Sequence, residues 1–205
     1  MKKSIAFLIF CIILMLLIIS PKISYAKTDF SSDAKLLEKN GILKGNPKDG
    51  LMLESNLLRQ ELVVIIARLY NEEDRAAKMS GSLEFEDVDS NSYYAPFIFW
   101  AVDKGIVQGK SEKQFGFDDK VTFEQIEKVI LRILGYEEES KDKDLTNTLV
   151  ISLGLSDGID LGEKEYITRG ELSRVLINTL STEKKGSTLK LKDILILDNR
   201  VGLNK

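Results

Sequence analysis

Histidine is absent from the 205 residues, and cysteine occurs once, as Cys11. Without an imidazole there is no histidine-based triad, and the lone cysteine sits in an apolar N-terminal run that reads as a removable leader. The mature chain then lacks thiol and imidazole together. That excludes thiol nucleophiles, disulfides and ordinary zinc sites. Missing disulfides do not argue against export, because a chain of this length can build a core without staples. Only three prolines interrupt the chain, and 43% of its residues are hydrophobic, so long stretches are free to form helices. No catalytic residues, metal ligands or cofactor are expected.

The leader is specific. Lys2 and Lys3 precede an unbroken apolar run from Ile5 to Ile19, followed by Pro21 and Ser24-Tyr25-Ala26. This predicts a signal peptide over residues 1–26, cleaved after Ala26. The run is short against the ~20 residues of a spanning helix, so no stable membrane insertion is expected after cleavage. Cys11 follows bulky Phe10, which does not suit a lipoprotein site. Loss of the leader's three lysines leaves 26 basic and 32 acidic residues, a net charge of −6. Nucleic acid is therefore not an expected partner.

A repeated plan occupies the rest. Gly41, Gly105 and Gly154 each close an apolar helical run, and each has a second glycine four residues on: Gly45, Gly109 and Gly158. A second helical stripe then begins near Arg59, Phe123 and Arg169, positions 64 and 46 residues apart. The stripes are Leu62/Ile65/Ile66/Leu69, Ile126/Val129/Ile130/Ile133/Leu134 and Leu172/Val175/Leu176/Thr179/Leu180, each at helical spacing. Thr122-x-x-Gln125 and Thr168-x-x-Glu171 are capping boxes, whereas Leu58 occupies the cap position of the first copy. Ser32 or Asp33 can cap the first helix, Pro96 can open the run ending at Gly105, and Asp144 or Thr146 can start the run ending at Gly154.

These signals divide the chain into repeats at 29–70, 84–136 and 144–181. The charged linker at 71–84 reads as an exposed helix end and loop. The tail, 186–205, alternates as Leu189-Lys190-Leu191-Lys192 and continues apolar from Ile194 to Leu197, which reads as a strand. The expected fold is all-α: three helix-loop-helix repeats whose second helices form a three-helix core.

The motifs resemble the S-layer homology (SLH) region of exported cell-wall proteins. Phe85-x-Asp87-Val88, Tyr94, Trp100-Ala101-Val102, Gly105-Ile106-Val107-Gln108-Gly109 and Phe115 carry the likeness in the second repeat. The third supplies the family's Ile-Thr-Arg-Ala-Glu element as Ile167-Thr168-Arg169-Gly170-Glu171; the first has it degraded as Leu57-Leu58-Arg59-Gln60-Glu61. The second has lost the arginine, reading Val121-Thr122-Phe123-Glu124-Gln125. The resemblance implies a pseudo-threefold spindle that binds secondary cell wall polysaccharide, often pyruvylated, in grooves between repeats. It places the protein outside the cell, at the wall or surface.

Arg59 and Arg169 are the candidate glycan-binding cations. Each stands at a helix start, where unpaired N–H groups and a guanidinium together suit a carboxylate. Gly45 and Gly109 can let the backbone approach a ligand. Trp100 admits two readings, stacking on a sugar or packing in the core. The Phe123 position predicts one groove without its cation. Glu61, Gln125 and Glu171 read as helix caps. A glycan hydrolase using Glu54 and Glu61 is the enzyme alternative, although no pair of acids is set apart by spacing. The other alternative is a structural surface protein that has lost glycan binding and self-associates through its helices or tail.

Overall fold

The computed structural model describes residues 28–81, 84–160 and 165–197. The leader and its cleavage site lie outside the described residues. The fold is all-α. Its helices are α1 (Ser31–Lys39), α2 (Arg59–Leu69), α3 (Glu73–Ala76), α4 (Ala95–Asp103), α5 (Phe123–Ile133), α6 (Lys143–Ser152), α7 (Arg169–Ser181) and α8 (Leu191–Leu197), with one 3-10 turn at Glu139–Lys141. Among the described residues extended pairing is limited to isolated bridges. None of the described helices is long and apolar enough to cross a membrane.

The glycine stops set the ends of α1, α4 and α6. Gly41, Gly105 and Gly154 have φ of 71°, 68° and 65°, the left-handed conformation that a Cβ disfavours. The following N–H reaches back across the last turn in all three: Ile42 to the Leu37 carbonyl (2.9 Å), Ile106 to Ala101 (3.0 Å) and Leu155 to Val150 (2.9 Å). This is the Schellman arrangement, with the apolar residue after glycine folded onto the helix.

At their starts the helices depart from expectation in two places. Helix α1 has no side-chain cap at its first turn; instead Asp29 accepts from the Ser31 N–H and hydroxyl. Asp33 is ion-paired with Arg174 of α7 at 2.7 Å, so it serves packing and not capping. Helix α6 is capped by Asp142, whose carboxylate accepts from the Asp144 and Leu145 N–H groups. Both boxes on α5 and α7 form, through Thr122/Gln125 and Thr168/Glu171. On α2 only half a box exists: Glu61 accepts from the Leu58 N–H at 2.9 Å, and Leu58 has nothing to return.

Three short extended segments precede α2, α5 and α7 and bind one another in a ring. The Leu57 N–H donates to the Ile167 carbonyl (3.0 Å), Ile167 to Val121 (3.0 Å), and Val121 back to Leu57 (2.8 Å). All three side chains are fully buried. A second ring follows at the first residue of each helix: Arg59 N–H to Asp119 O, Phe123 to Glu165 and Arg169 to Ser55, at 2.9–3.1 Å. Buried amides need partners, and here they find them only in another segment, so the three starts must fold together.

Around this ring the outer helices are exchanged. Helix α4 packs mainly on α2, α6 on α5, and α1 on α7. Each outer helix thus covers the long helix of the preceding segment, and α1 joins the first described segment to the last. No copy is a self-contained hairpin: adjacent copies interlock through their outer helices. The apolar stripes of α2, α5 and α7 lie in one continuous core.

The linker after α2 is exposed at Asn71, Asp74, Arg75 and Lys78, and two of its acids depart from expectation. Glu72 and Glu73 are not a solvated run: Glu73 bridges Lys44 (2.7 Å) and Arg68 (2.9 Å), while Glu72 reaches Lys104 (3.3 Å). The tail is a helix where a strand was expected. Leu191 and Leu195, four residues apart, are both buried, and α8 packs on α7. A strand would need a neighbour to pair with, whereas a short helix satisfies its own backbone and needs only one apolar face.

Candidate functional site

Two grooves lie at the seams between segments. The first, about 240 Å³, is lined by Lys44, Gly45, Asn46, Glu61, Arg68, Tyr93, Tyr94 and Arg169, among others. The second, about 160 Å³, is lined by Gln108, Gly109, Lys110, Phe115, Gln125, Lys128, Arg132 and Arg59. They are one site built twice. Lys44, Gly45, Glu61 and Arg68 each have a counterpart 64 residues on, in Gln108, Gly109, Gln125 and Arg132. Arg169 stands in the first groove where Arg59 stands in the second.

Both arginines act as clamps on the facing loop. Arg169 donates from Nε to the Leu51 carbonyl (2.9 Å) and from Nη2 to Lys44 (2.8 Å). Arg59 donates from Nε to the Phe115 carbonyl and from Nη2 to Gln108, both at 3.0 Å. These acceptors are again 64 residues apart. The Arg59 guanidinium also lies over the Phe115 ring, 4.9 Å from its centroid. Burial pulls the Arg59 pKa down from its usual value, against the opposing charges of Asp119 and Asp87.

Helix starts contribute less than expected. On α7 the N–H groups of Arg169, Gly170 and Glu171 are taken by the Ser55 and Leu53 carbonyls and the Thr168 hydroxyl. On α2 the Arg59 N–H is taken by Asp119. The anion site pictured from free amides is corrected on this point: the side chains, not these amides, face the grooves.

Gly45 and Gly109 line the two grooves, but their lack of a side chain serves their own loops. A Cβ at Gly45 would collide with the Gly50 carbonyl, and one at Gly109 would meet the Ser111 carbonyl at 2.6 Å. Trp100 lies in neither groove. It is 1% exposed, its indole N–H donates to Glu72 at 2.9 Å, and Tyr70 packs edge-on against it. A sugar cannot stack on a buried ring, so the stacking reading of Trp100 is corrected to core packing.

Asp87 supports the second groove from behind. Its carboxylate accepts from the backbone N–H groups of Phe115 (2.8 Å), Gly116 (2.7 Å) and Phe117 (2.8 Å). Burial raises its pKa, but the three amide bonds outweigh burial and the net shift is downward. Gln60 holds the same loop, exchanging two hydrogen bonds with Asp118. Asp87 was visible as part of the Phe-x-Asp-Val motif; its task was not, because backbone amides leave no mark in a sequence.

At the third seam Phe123 takes the arginine position. A separate cavity beside the Arg59 groove is lined by Lys110, Asp118, Asp119, Lys120, Thr122, Gln125, Glu165 and Tyr166 and does not include Phe123. Among the described residues no cluster of acids suits a metal ion.

Residues 84–126 match the S-layer homology domain. Over 158 residues, 76% of its length, the chain is 26% identical to the Middle cell wall protein of Brevibacillus brevis, covering 15% of that protein. Over 103 residues, half of its length, it is 29% identical to the Surface layer protein of Brevibacillus choshinensis, covering 9% of that one. The chain thus spans under a sixth of the curated relatives it matches.

Proposed function

We propose that residues 29–181 are a non-catalytic module that anchors a protein to the bacterial cell wall, built as three S-layer homology repeats in a pseudo-threefold spindle. The matched domain at 84–126 and the two relatives, named for cell wall and surface layer, support a wall or cell-surface location and an anchoring role in general. The finer reading is that the grooves of Arg59 and Arg169 bind a secondary cell wall polysaccharide. One observation carries it: the same groove, with the same clamped arginine, is constructed at two different seams. Duplicate concave sites with a few convergent polar groups suit a repeating polymer, which gains avidity from each additional contact.

The acids argue for a structural part. Glu61 is spent on a cap and on Arg169, and Glu171 on a cap. Sedimentation with purified wall sacculi tests the proposal. Wild-type protein is expected to pellet, and Arg59→Ala with Arg169→Ala to remain in the supernatant while keeping a helical circular-dichroism spectrum. Wild-type protein left in solution, or a folded double variant that pellets fully, overturns it.

A further inference from the structure

Of the three outer helices, only α1 is tied to the rest of the described fold by a single connection. Helices α4 and α6 lie between long helices and are held at both ends. Yet α1 packs on α7 instead of α2, the long helix next in sequence. The two surfaces are matched in detail. Ala34 and Leu37 of α1 are buried. Asp33 meets Arg174 of α7 at 2.7 Å, with the paired atoms shut away from water. The Phe30 ring lies so close to Gly170 that a Cβ there would meet it at 3.1 Å. Just beyond α1, the Lys44 carbonyl accepts from Arg169 at 2.8 Å.

The connection from α1 to α2 is strained and lightly bonded. Met52 has a φ of 51°, a left-handed conformation that is costly for a residue with a Cβ. Before it, Asn46 and Gly50 exchange backbone hydrogen bonds at 3.0 Å. Pro47, Lys48, Asp49 and Gly50 are all exposed, so water can replace those bonds at small cost. Pro47 fits an extended chain and turns Asn46 away from helix. Opened out, the eight residues from Gly45 to Met52 span up to about 26–29 Å. Opening gives up the Arg169 bond to the Leu51 carbonyl and relieves Met52.

We propose that α1 is an exchangeable arm: when two copies of this chain pair, each copy's α1 covers the other's α7. The contacts of α1 are kept, because the helix it covers is chemically the same, and the Gly45–Met52 loop alone changes conformation. Leu53 and Ser55 remain on the first residues of their own α7, so the ring of Leu57, Val121 and Ile167 stays within each copy. Helices α4 and α6 cannot exchange in this way, since each would have to thread a closed loop. The pairing stands whatever the grooves bind.

Two charge variants test it. Asp33→Arg and Arg174→Asp each set like charges across the α1–α7 seam of a lone copy, and each is expected to melt below wild type. Unfolded and refolded together in equal amounts, they can exchange arms. One seam of the pair then holds the native Asp33 and Arg174, and the other holds the same two charges reversed. The expected product is a one-to-one heterodimer by size exclusion with light scattering, melting above either variant alone. A mixture that stays monomeric, or that melts as the average of its components, overturns the proposal. So does a dimer formed as readily by either variant alone, because exchange requires the complementary charges. A second measurement varies the hinge. Wild type refolded at rising concentration is expected to give a growing dimer fraction. Met52→Gly removes strain from the closed loop, and two hinges are relieved per pair, so its dimerisation constant is expected to fall at least about tenfold. An unchanged constant, or wild type that stays monomeric throughout, overturns the exchange.

Discussion

Trp100 shows how much a single side chain decides. Its ring fills the core beside α2, and its N–H is tied to Glu72, which Lys104 also approaches. Trp100→Phe keeps the apolar ring and removes the indole hydrogen bond to Glu72, leaving that carboxylate only Lys104 and Arg75, so a loss of about 1 kcal/mol is expected in urea unfolding. Sacculus binding is expected to persist, because the ring reaches neither groove. Asp87→Asn is expected to cost more, about 2–3 kcal/mol, since an amide cannot accept all three N–H bonds and its NH₂ would face a donor. The pH dependence has a definite sign. Folding lowers the Asp87 pKa, so its contribution is complete above the ordinary aspartate value and is lost as pH falls through the lower folded one. The difference between wild type and Asp87→Asn should therefore shrink under acid. A stability gap that stays constant from neutral pH to pH 2 would contradict the amide-holding role. The arginines were legible at this scale as residues but not as clamps. Their acceptors are backbone carbonyls 49 to 125 positions away, and every residue has a carbonyl.

At the scale of the helix, local chemistry was the most readable layer. Glycine stops and Thr-x-x-Gln/Glu boxes act within four or five residues, so sequence order alone carries them. The tail was misread because Ile194 to Leu197 is an apolar run too short to distinguish strand from helix; only the face of α7 available to Leu191 and Leu195 decides. Helix α5 carries a second consequence. Glu127 is buried at the position where α2 has Val63 and α7 has Ser173, both fully buried. Burial raises its pKa, with Glu124 adding to the effect. Folding thus favours the protonated acid, and the penalty is absent below the ordinary glutamate value and complete above the raised one. Glu127→Val is expected to stabilise the chain by about 1 kcal/mol at neutral pH, a rise of about 2–4 °C in Tm, with a smaller gain near pH 4. Thermal melts at the two pH values check both the sign and its pH dependence.

Across the whole molecule, exchange of the outer helices makes the segments interdependent. Spacing made the threefold repetition visible, but not which long helix each outer helix would cover; sequence periodicity is the same for either choice. The observed choice couples α1 to α7, the first and last of the long elements. No described segment then keeps both its outer helix and its ring hydrogen bonds once another segment opens. A single cooperative transition is expected in denaturant, with Trp100 fluorescence, which reports on the second segment, coinciding with far-UV circular dichroism from all three. The seam at α1 gives the sharper test. Leu37 is 1% exposed, on the outer helix that packs against α7, far along the chain from Trp100. Leu37→Ala should cost about 2–4 kcal/mol and move both signals together. Were each copy an independent hairpin, the same substitution would melt the first segment alone, the dichroism would show an early partial loss, and the Trp100 transition would stay where it was. Closure through α1 and α7 allows no such separation, because loosening α1 uncovers the helix whose first residues carry Arg169 and one corner of the ring.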